Sequence, residues 1–194
     1  MPWIEVIEKL ESKLVGTLKG TFTPMDGVPF FRVMYPPREE REALRQFRLL
    51  SERLKQQGWQ VKCISLTHVF REALVSLLGC KVEELPEKLK KEERFRDRNE
   101  LKSSLAEYLP LEMARIITKH IESKGLVKKG IAFLVRTGTI YPFMRPSHLL
   151  ARLEGKVKCV IVIAYPGISV GAFLDSETAG LYGGYYRGEI IQWR

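Results

Sequence analysis

The sequence predicts an α/β fold, in which a mostly parallel central sheet of about four to five strands carries helices on both faces as a three-layer sandwich. Short apolar runs alternate with segments that place apolar residues at helical spacing, which is typical of right-handed βαβ units. Residues 131–135 and 159–165 are apolar throughout, as expected of strands buried on both faces of a parallel sheet. The chain has 194 residues, of which 45% are hydrophobic and 28% charged. This length and composition predict one globular domain spanning residues 1–194.

A helix, a strand and a second helix are predicted first. Residues 3–14 carry one apolar stripe, and Gly16 is predicted to end this helix. Residues 28–34 are aromatic and β-branched, which predicts a strand. The second helix begins near Arg38 and ends at Gly58, a residue suited to the left-handed position after a helix.

A second strand-helix unit and a helical insertion follow. Residues 60–66 alternate as a strand does, and Thr67 is predicted to cap a helix that ends at Gly79. An inserted helical segment is predicted over about 81–126, and within it Pro110 is expected at the first position of a separate long helix. Lys81 to Glu100 contains seven basic and seven acidic residues, a mixture typical of a solvated helix with i,i+4 ion pairs.

The last third of the chain supplies the remaining elements. A short helix is predicted near 147–153, residues 159–165 form the central strand, and residues 185–191 form an edge strand or a hairpin arm. Ligands of such sheets bind beyond the carboxyl ends of parallel strands. The segments expected to meet at that edge are Tyr35-Pro36-Pro37, Ser65-Leu66-Thr67, Thr137 through His148, and Tyr165-Pro166-Gly167.

The positive charge is concentrated in one segment. The chain carries a net charge of +9, and residues 113–158 hold ten Lys or Arg against two Glu. Clustered cations of this kind bind phosphates or an acidic protein surface, or form a solvated face. The candidate contacts to nucleic acid or to an acidic surface are Arg115, Lys119, Lys124, Lys128, Lys129, Arg136, Arg152, Lys156 and Lys158.

The motifs of common enzyme classes do not assemble. Residues 167–171 fit the G-x-S-x-G pattern, but all three histidines precede Ser169, whereas a hydrolase of that fold places its histidine after the serine. The phosphate-binding loop motif is missing, and the cysteines and histidines have no metal-ligand spacing. We therefore expect no metal, no cofactor and no assigned catalytic residue, although an unrecognised enzymatic activity stays open. The longest apolar run is too short for a membrane helix, and no signal-peptide pattern is evident, so a cytoplasmic protein is expected.

One loop is hard to explain by packing alone. Residues 137–148 place Tyr141, Arg145 and His148 beside two prolines where the third strand ends. An arginine there can bind a carboxylate or phosphate, and a histidine can change its charge. The structural alternative is that Arg145 pairs locally and His148 only occupies the first turn of a helix.

Three motifs follow one another in the last third of the chain. They are the pattern TG-x-x-YPF-x-R-x-x-x-LL within 133–150, then Tyr165-Pro166-Gly167, then Tyr185-Tyr186-Arg187. In these motifs the chain resembles the BrxB family, the small subunits of bacteriophage exclusion (BREX) defence systems. A similar hydrophobic pattern extends the resemblance upstream over 30–45 and 58–74. Small residues between Gly167 and Tyr185 replace the acidic and Leu/Phe-rich stretch of the family, which indicates a divergent member.

The resemblance implies a noncatalytic component that works alongside a phosphatase-like PglZ protein, a DNA methyltransferase and a large ATPase. The positions that match are Tyr141, Pro142, Arg145, Leu149, Tyr165, Pro166, Gly167, Tyr186 and Arg187. The candidate partner-binding residues are Tyr141, Pro142, Arg145, His148, Tyr165, Pro166, Gly167, Tyr186 and Arg187. The leading hypothesis is an interaction subunit that docks a larger, acidic partner such as a PglZ-like protein, through the carboxyl-edge loops or through the basic region 113–158. The alternative is direct binding of nucleic acid by the basic segment 113–158.

Overall fold

The computed structural model describes residues 3–123, 125–126, 130–167 and 187–193. In these ranges five strands form one parallel sheet with helices on both faces. The strands are β1 (Phe30–Tyr35), β2 (Gln60–Ser65), β3 (Gly130–Val135), β4 (Val160–Pro166) and β5 (Glu189–Gln192). The helices are α1 (Trp3–Lys19), α2 (Glu40–Gln56), α3 (Leu66–Leu78), α4 (Leu85–Phe95), α5 (Arg98–Glu122) and α6 (Pro146–Leu153).

The strand order is β2-β3-β4-β1-β5. The apolar strand β4 lies at the centre, as predicted, and β1 and β3 are buried at every position. Of the two interpretations of the last strand, the edge strand is confirmed, because β5 pairs in parallel with β1.

Two hydrophobic cores separate the three layers. Side chains of successive strand residues point to opposite faces of a sheet, so Phe31 and Val33 of β1 pack with α1 and α2, whereas Ile161 and Ile163 of β4 pack with α3, α5 and α6. The predicted sandwich is therefore confirmed.

The first helix is longer than predicted. α1 continues through Gly16 to Lys19, and Gly20 adopts a left-handed φ of +74° after it. Gly16 serves a close approach instead, because the chain folds back and the N–H groups of Thr21 and Phe22 donate to the Gly16 carbonyl at 2.8 and 3.1 Å. A Cβ atom on Gly16 would lie only 2.8 Å from Cβ of Phe22.

Pro110 does not begin a helix, and that prediction was wrong. α5 is one continuous helix of 25 residues that begins after Asp97, whose carboxylate accepts hydrogen bonds from the N–H groups at the helix start. Leu105, Leu109 and Met113 are buried on both sides of the proline. A proline inside a helix costs about 3 kcal/mol, and burial of each such side chain contributes about 1.5–3 kcal/mol. Packing therefore outweighs the helix-breaking tendency.

The start of α3 also differs from the prediction. Ser65 occupies the N-cap position, and Thr67 lies in the first turn, where its hydroxyl contacts Thr139 instead of capping the helix. Gly58 and Gly79 were correctly predicted to end helices, and both have positive φ, at +89° and +58°.

None of the helices in the described part of the chain combines the length and apolar character needed to cross a lipid bilayer.

Candidate functional site

The loops that follow β1 to β4 meet at the carboxyl edge of the sheet, as predicted from the parallel topology. Hydrogen bonds connect them in series. The Oγ1 atoms of Thr67 and Thr139 are 2.9 Å apart, and the hydroxyl of Thr137 donates to the Ala164 carbonyl at 2.7 Å. The N–H of Gly167 donates to the Tyr35 carbonyl at 2.8 Å. The loops therefore hold one another in a fixed arrangement.

The loop between β3 and α6 is anchored from inside. Ile140 and Met144 are buried, and the ring of Phe143 packs on Phe70 of α3 with centroids 5.6 Å apart. The N–H groups of Phe143 and Met144 both donate to the Ile140 carbonyl at 3.0 Å. Apolar anchors and backbone bonds thus fix the loop without using its outward residues.

Tyr141 and Pro142 form the outward side of this loop. Tyr141 is 78% exposed, and Pro142 beside it is also exposed. Tyrosine combines a large apolar ring with a polar tip, and it is enriched among the residues that carry most of the binding energy of protein interfaces. An exposed tyrosine on an anchored loop is suited to bind another molecule with little loss of conformational freedom.

The other predicted residues of this edge are less uniform. His148 is exposed in the first turn of α6, and its N–H donates to the Arg145 carbonyl at 3.0 Å. Arg145 is half-buried and has an interaction partner. Tyr165 and Gly167 are half-buried, and a Cβ on Gly167 would lie 2.7 Å from the Tyr165 ring. We name the set Tyr141, Pro142, His148, Tyr165, Pro166 and Gly167 the carboxyl-edge surface.

Arg187 does not belong to this surface. It precedes β5, so it lies at the amino edge of the sheet, where its guanidinium binds the Glu154 carboxylate at 2.9 Å. Tyr186, its predicted neighbour in function, lies outside the described residues, as does Ser169.

The predicted basic contacts are divided among separate places. Arg136 follows β3 at the carboxyl edge, whereas Lys156 and Lys158 precede β4 at the amino edge, and all three are exposed. Arg152 is exposed on α6, and Arg115 and Lys119 lie on α5. Lys124, Lys128 and Lys129 lie outside the described residues. The cations at the carboxyl edge are separated from those at the amino edge by the length of a strand, roughly 20 Å for six residues.

Arg115 and Lys119 line a hollow of about 460 Å³ between α3 and α5. The guanidinium of Arg115 donates two hydrogen bonds to the Glu112 carboxylate, at 2.6 and 2.9 Å. This bidentate pairing lowers the pKa of Glu112 to about 2. Across the hollow, Nε2 of His120 lies 2.9 Å from Oε2 of Glu72. Carboxylates thus already accompany the cations here, which reduces the positive potential available to a phosphate.

Sequence reasoning missed the threonines that connect the loops and the pairing of Phe70 with Phe143. Thr67 and Thr139 are 72 residues apart in the chain, so no local pattern links them. The one available signal was indirect, because parallel strands predict that the segments after them meet at one edge.

One of the comparisons with known proteins identifies the family of the chain. A family model described as BREX protein BrxB matches residues 70–189, a range that includes β3, β4, α6 and the anchored loop with Tyr141. The upstream segments 30–45 and 58–69 lie outside the matched range. No curated protein and no solved structure matches the chain. Because the family model covers more than half of the chain, the chain belongs to the BrxB family and is a subunit of a BREX antiviral defence system.

Proposed function

We propose that the chain is an interaction subunit that docks a larger protein of its defence complex, such as a PglZ-like protein, through the carboxyl-edge surface. The observation that carries the proposal is the exposure of Tyr141 on a loop held from inside by Ile140, Phe143 and Met144. Such a loop is already ordered before binding, so the interface loses little conformational entropy when it forms. The role needs no catalytic residue and no cofactor in this chain.

The loops around Tyr141 support the proposal chemically. Pro142 and Pro166 add rigid apolar surface, and Arg136 and His148 add polar groups at the rim. An apolar centre with a polar rim is the usual composition of a protein interface. The exposed Arg136 favours a partner whose matching surface is acidic.

Affinity measurement on the Tyr141→Ala variant tests the proposal. Truncation of a residue that carries most of the binding energy costs about 2 kcal/mol or more, so Kd for the purified PglZ-like protein of the same defence locus should rise by at least about thirtyfold. Calorimetric titration measures this, and a circular dichroism spectrum checks that the variant is folded.

Met25→Ala is the matched control. Met25 is a large exposed apolar residue, 61% accessible, but it lies before β1 at the amino edge. Its replacement should leave Kd unchanged. Equal affinity of wild type and Tyr141→Ala would refute the docking site. Absence of PglZ-like binding together with DNA binding that weakens steeply with salt would favour the nucleic-acid alternative instead.

A further inference from the structure

A second surface lies on the helical side of the molecule, between α3, α4 and α5. The three helices line an open groove of about 430 Å³. This volume is within the range of binding pockets, roughly 300–1,000 Å³. Its floor is formed by Leu78 of α3 with Leu101 and Leu105 of α5. We name this feature the α4 groove.

The apolar lining of the α4 groove continues out to solvent. Leu101, Leu105, Tyr108 and Leu111 follow one another along α5 at three- and four-residue spacing, which places them near one stripe. The first two are buried, but Tyr108 is 51% and Leu111 43% exposed, and Leu77 of α3 is 38% exposed. Scattered exposed apolar residues are ordinary, whereas a contiguous apolar patch marks an interaction site.

The helices that form this patch are held together. Leu74 of α3 and Leu109 and Met113 of α5 are buried in the same hydrophobic core. Leu77 of α3 and Tyr108 of α5 line the same groove, so its apolar lining comes from both helices.

The rim of the α4 groove is positively charged. Lys88 of α4 and Arg96, the residue that follows α4, share one carboxylate, that of Glu92, at 4.0 and 3.3 Å. Two cations with one anion leave a positive charge beside the apolar floor. Both basic side chains are more than a third exposed, so this charge is available to an incoming acidic residue.

We infer that the α4 groove binds an amphipathic helix of another subunit of the defence complex, with apolar residues at i, i+3, i+4 and i+7 and acidic residues beside them. An amphipathic helix lays its apolar face into such a groove, and its acidic flank matches Lys88 and Arg96. A second copy of this chain fits less well, because its net charge is +9 and like charges repel across an interface.

This inference rests on the proposed role as an interaction subunit but uses a different face. α3 begins at the carboxyl edge with Leu66, and Leu77 lies eleven residues further along the helix, about 16 Å at 1.5 Å per residue. A subunit with both surfaces has two separate contacts with its complex.

Photo-cross-linking tests the inference on the assembled complex. A benzophenone amino acid replaces Ser104, which lines the α4 groove, in a chain expressed with the other proteins of its defence locus. The matched control carries the same group at Ser103, the neighbouring serine, which is exposed and does not line the groove. Mass spectrometry then identifies the peptide attached at each position.

The expected result is a cross-link from Ser104, at least tenfold stronger than from Ser103, to an acidic peptide with the stated apolar spacing. Tyr108→Lys should abolish it while the circular dichroism spectrum stays native, because Tyr108 is half-exposed. Equal cross-linking at both serines, attachment to a second copy of this chain, or a peptide without that spacing would overturn the inference. A third probe at Tyr141 separates the two surfaces, since a cross-link there but not at Ser104 refutes the α4 groove alone.

Discussion

The hydroxyl of Thr137 gives the sharpest test of how the loop between β3 and α6 is held in place. Thr137 is 3% exposed, and its hydroxyl donates to the Ala164 carbonyl of β4 at 2.7 Å. Valine has nearly the same shape, so Thr137→Val removes this bond with little change in packing. It also leaves the carbonyl of Ala164 facing a methyl group in a dry site.

An unsatisfied buried carbonyl costs about 1–3 kcal/mol. For a chain of this size 1 kcal/mol corresponds to about 2–4 °C in Tm, so a loss near the middle of that range lowers Tm by about 4–8 °C. The matched control is Thr139→Val. The Thr139 hydroxyl is only partly buried against Thr67, so water can replace its partner and the cost should stay below about 0.5 kcal/mol.

Urea unfolding followed by tryptophan fluorescence measures both variants against the wild type. We expect the midpoint for Thr137→Val to shift clearly to lower urea with an unchanged slope. If Thr137→Val and Thr139→Val unfolded within 0.5 kcal/mol of each other, as a rough limit of additivity, the connection between the loop and β4 would not stabilise the fold as argued.

Three further predictions concern other contacts. Gly188 has φ +103°, and a Cβ atom there would lie 2.4 Å from the Phe30 carbonyl oxygen. Gly188→Ala should therefore lower Tm by several degrees, and an unchanged calorimetric melt would contradict this. Burial raises the pKa of Tyr35 above its ordinary value of 10.0, so the folded state holds this proton more tightly than the unfolded state. The free energy of unfolding should therefore fall as pH rises above about 10, and urea titrations should show that Tyr35→Phe removes part of this fall. The bond from Arg115 lowers the pKa of Glu112 from 4.5 to about 2, so the contribution of this pair to stability should be lost as pH falls through that range. A Glu112→Gln variant whose thermal melts keep the full acid dependence would contradict this.

The sheet could be predicted from the sequence because its signals are local. Residues 131–135 and 159–165 needed only their continuous apolar character to be assigned as buried strands, and β3 and β4 lie there. Gly58 and Gly79 needed only their position after an apolar stripe. The parallel direction of the strands then put the four loops at one edge.

Other features depend on contacts that a single sequence does not contain. Gly16 was predicted to end a helix, but its role is set by Phe22 folding back onto it. Pro110 lies within α5 because an apolar face on both sides of it is buried by neighbouring helices. The balanced charges of Lys81 to Glu100 predicted a solvated helix with ion pairs, and such pairs are present on and next to α4. They did not predict the groove that α4 leaves beside α5.

The strand order carries a consequence for synthesis of the chain. β1 is made first, yet both of its neighbours, β4 and β5, come from the last third of the sequence. Translation proceeds at roughly 5–20 residues per second, so the 153 residues between Tyr35 and Glu189 keep β1 without a complete set of partners for about 8–30 s. An apolar strand that waits so long for its pairing partners is exposed to aggregation. Expression yield of this subunit should therefore depend on chaperones that shield nascent β-strands more than on the stability of the finished fold.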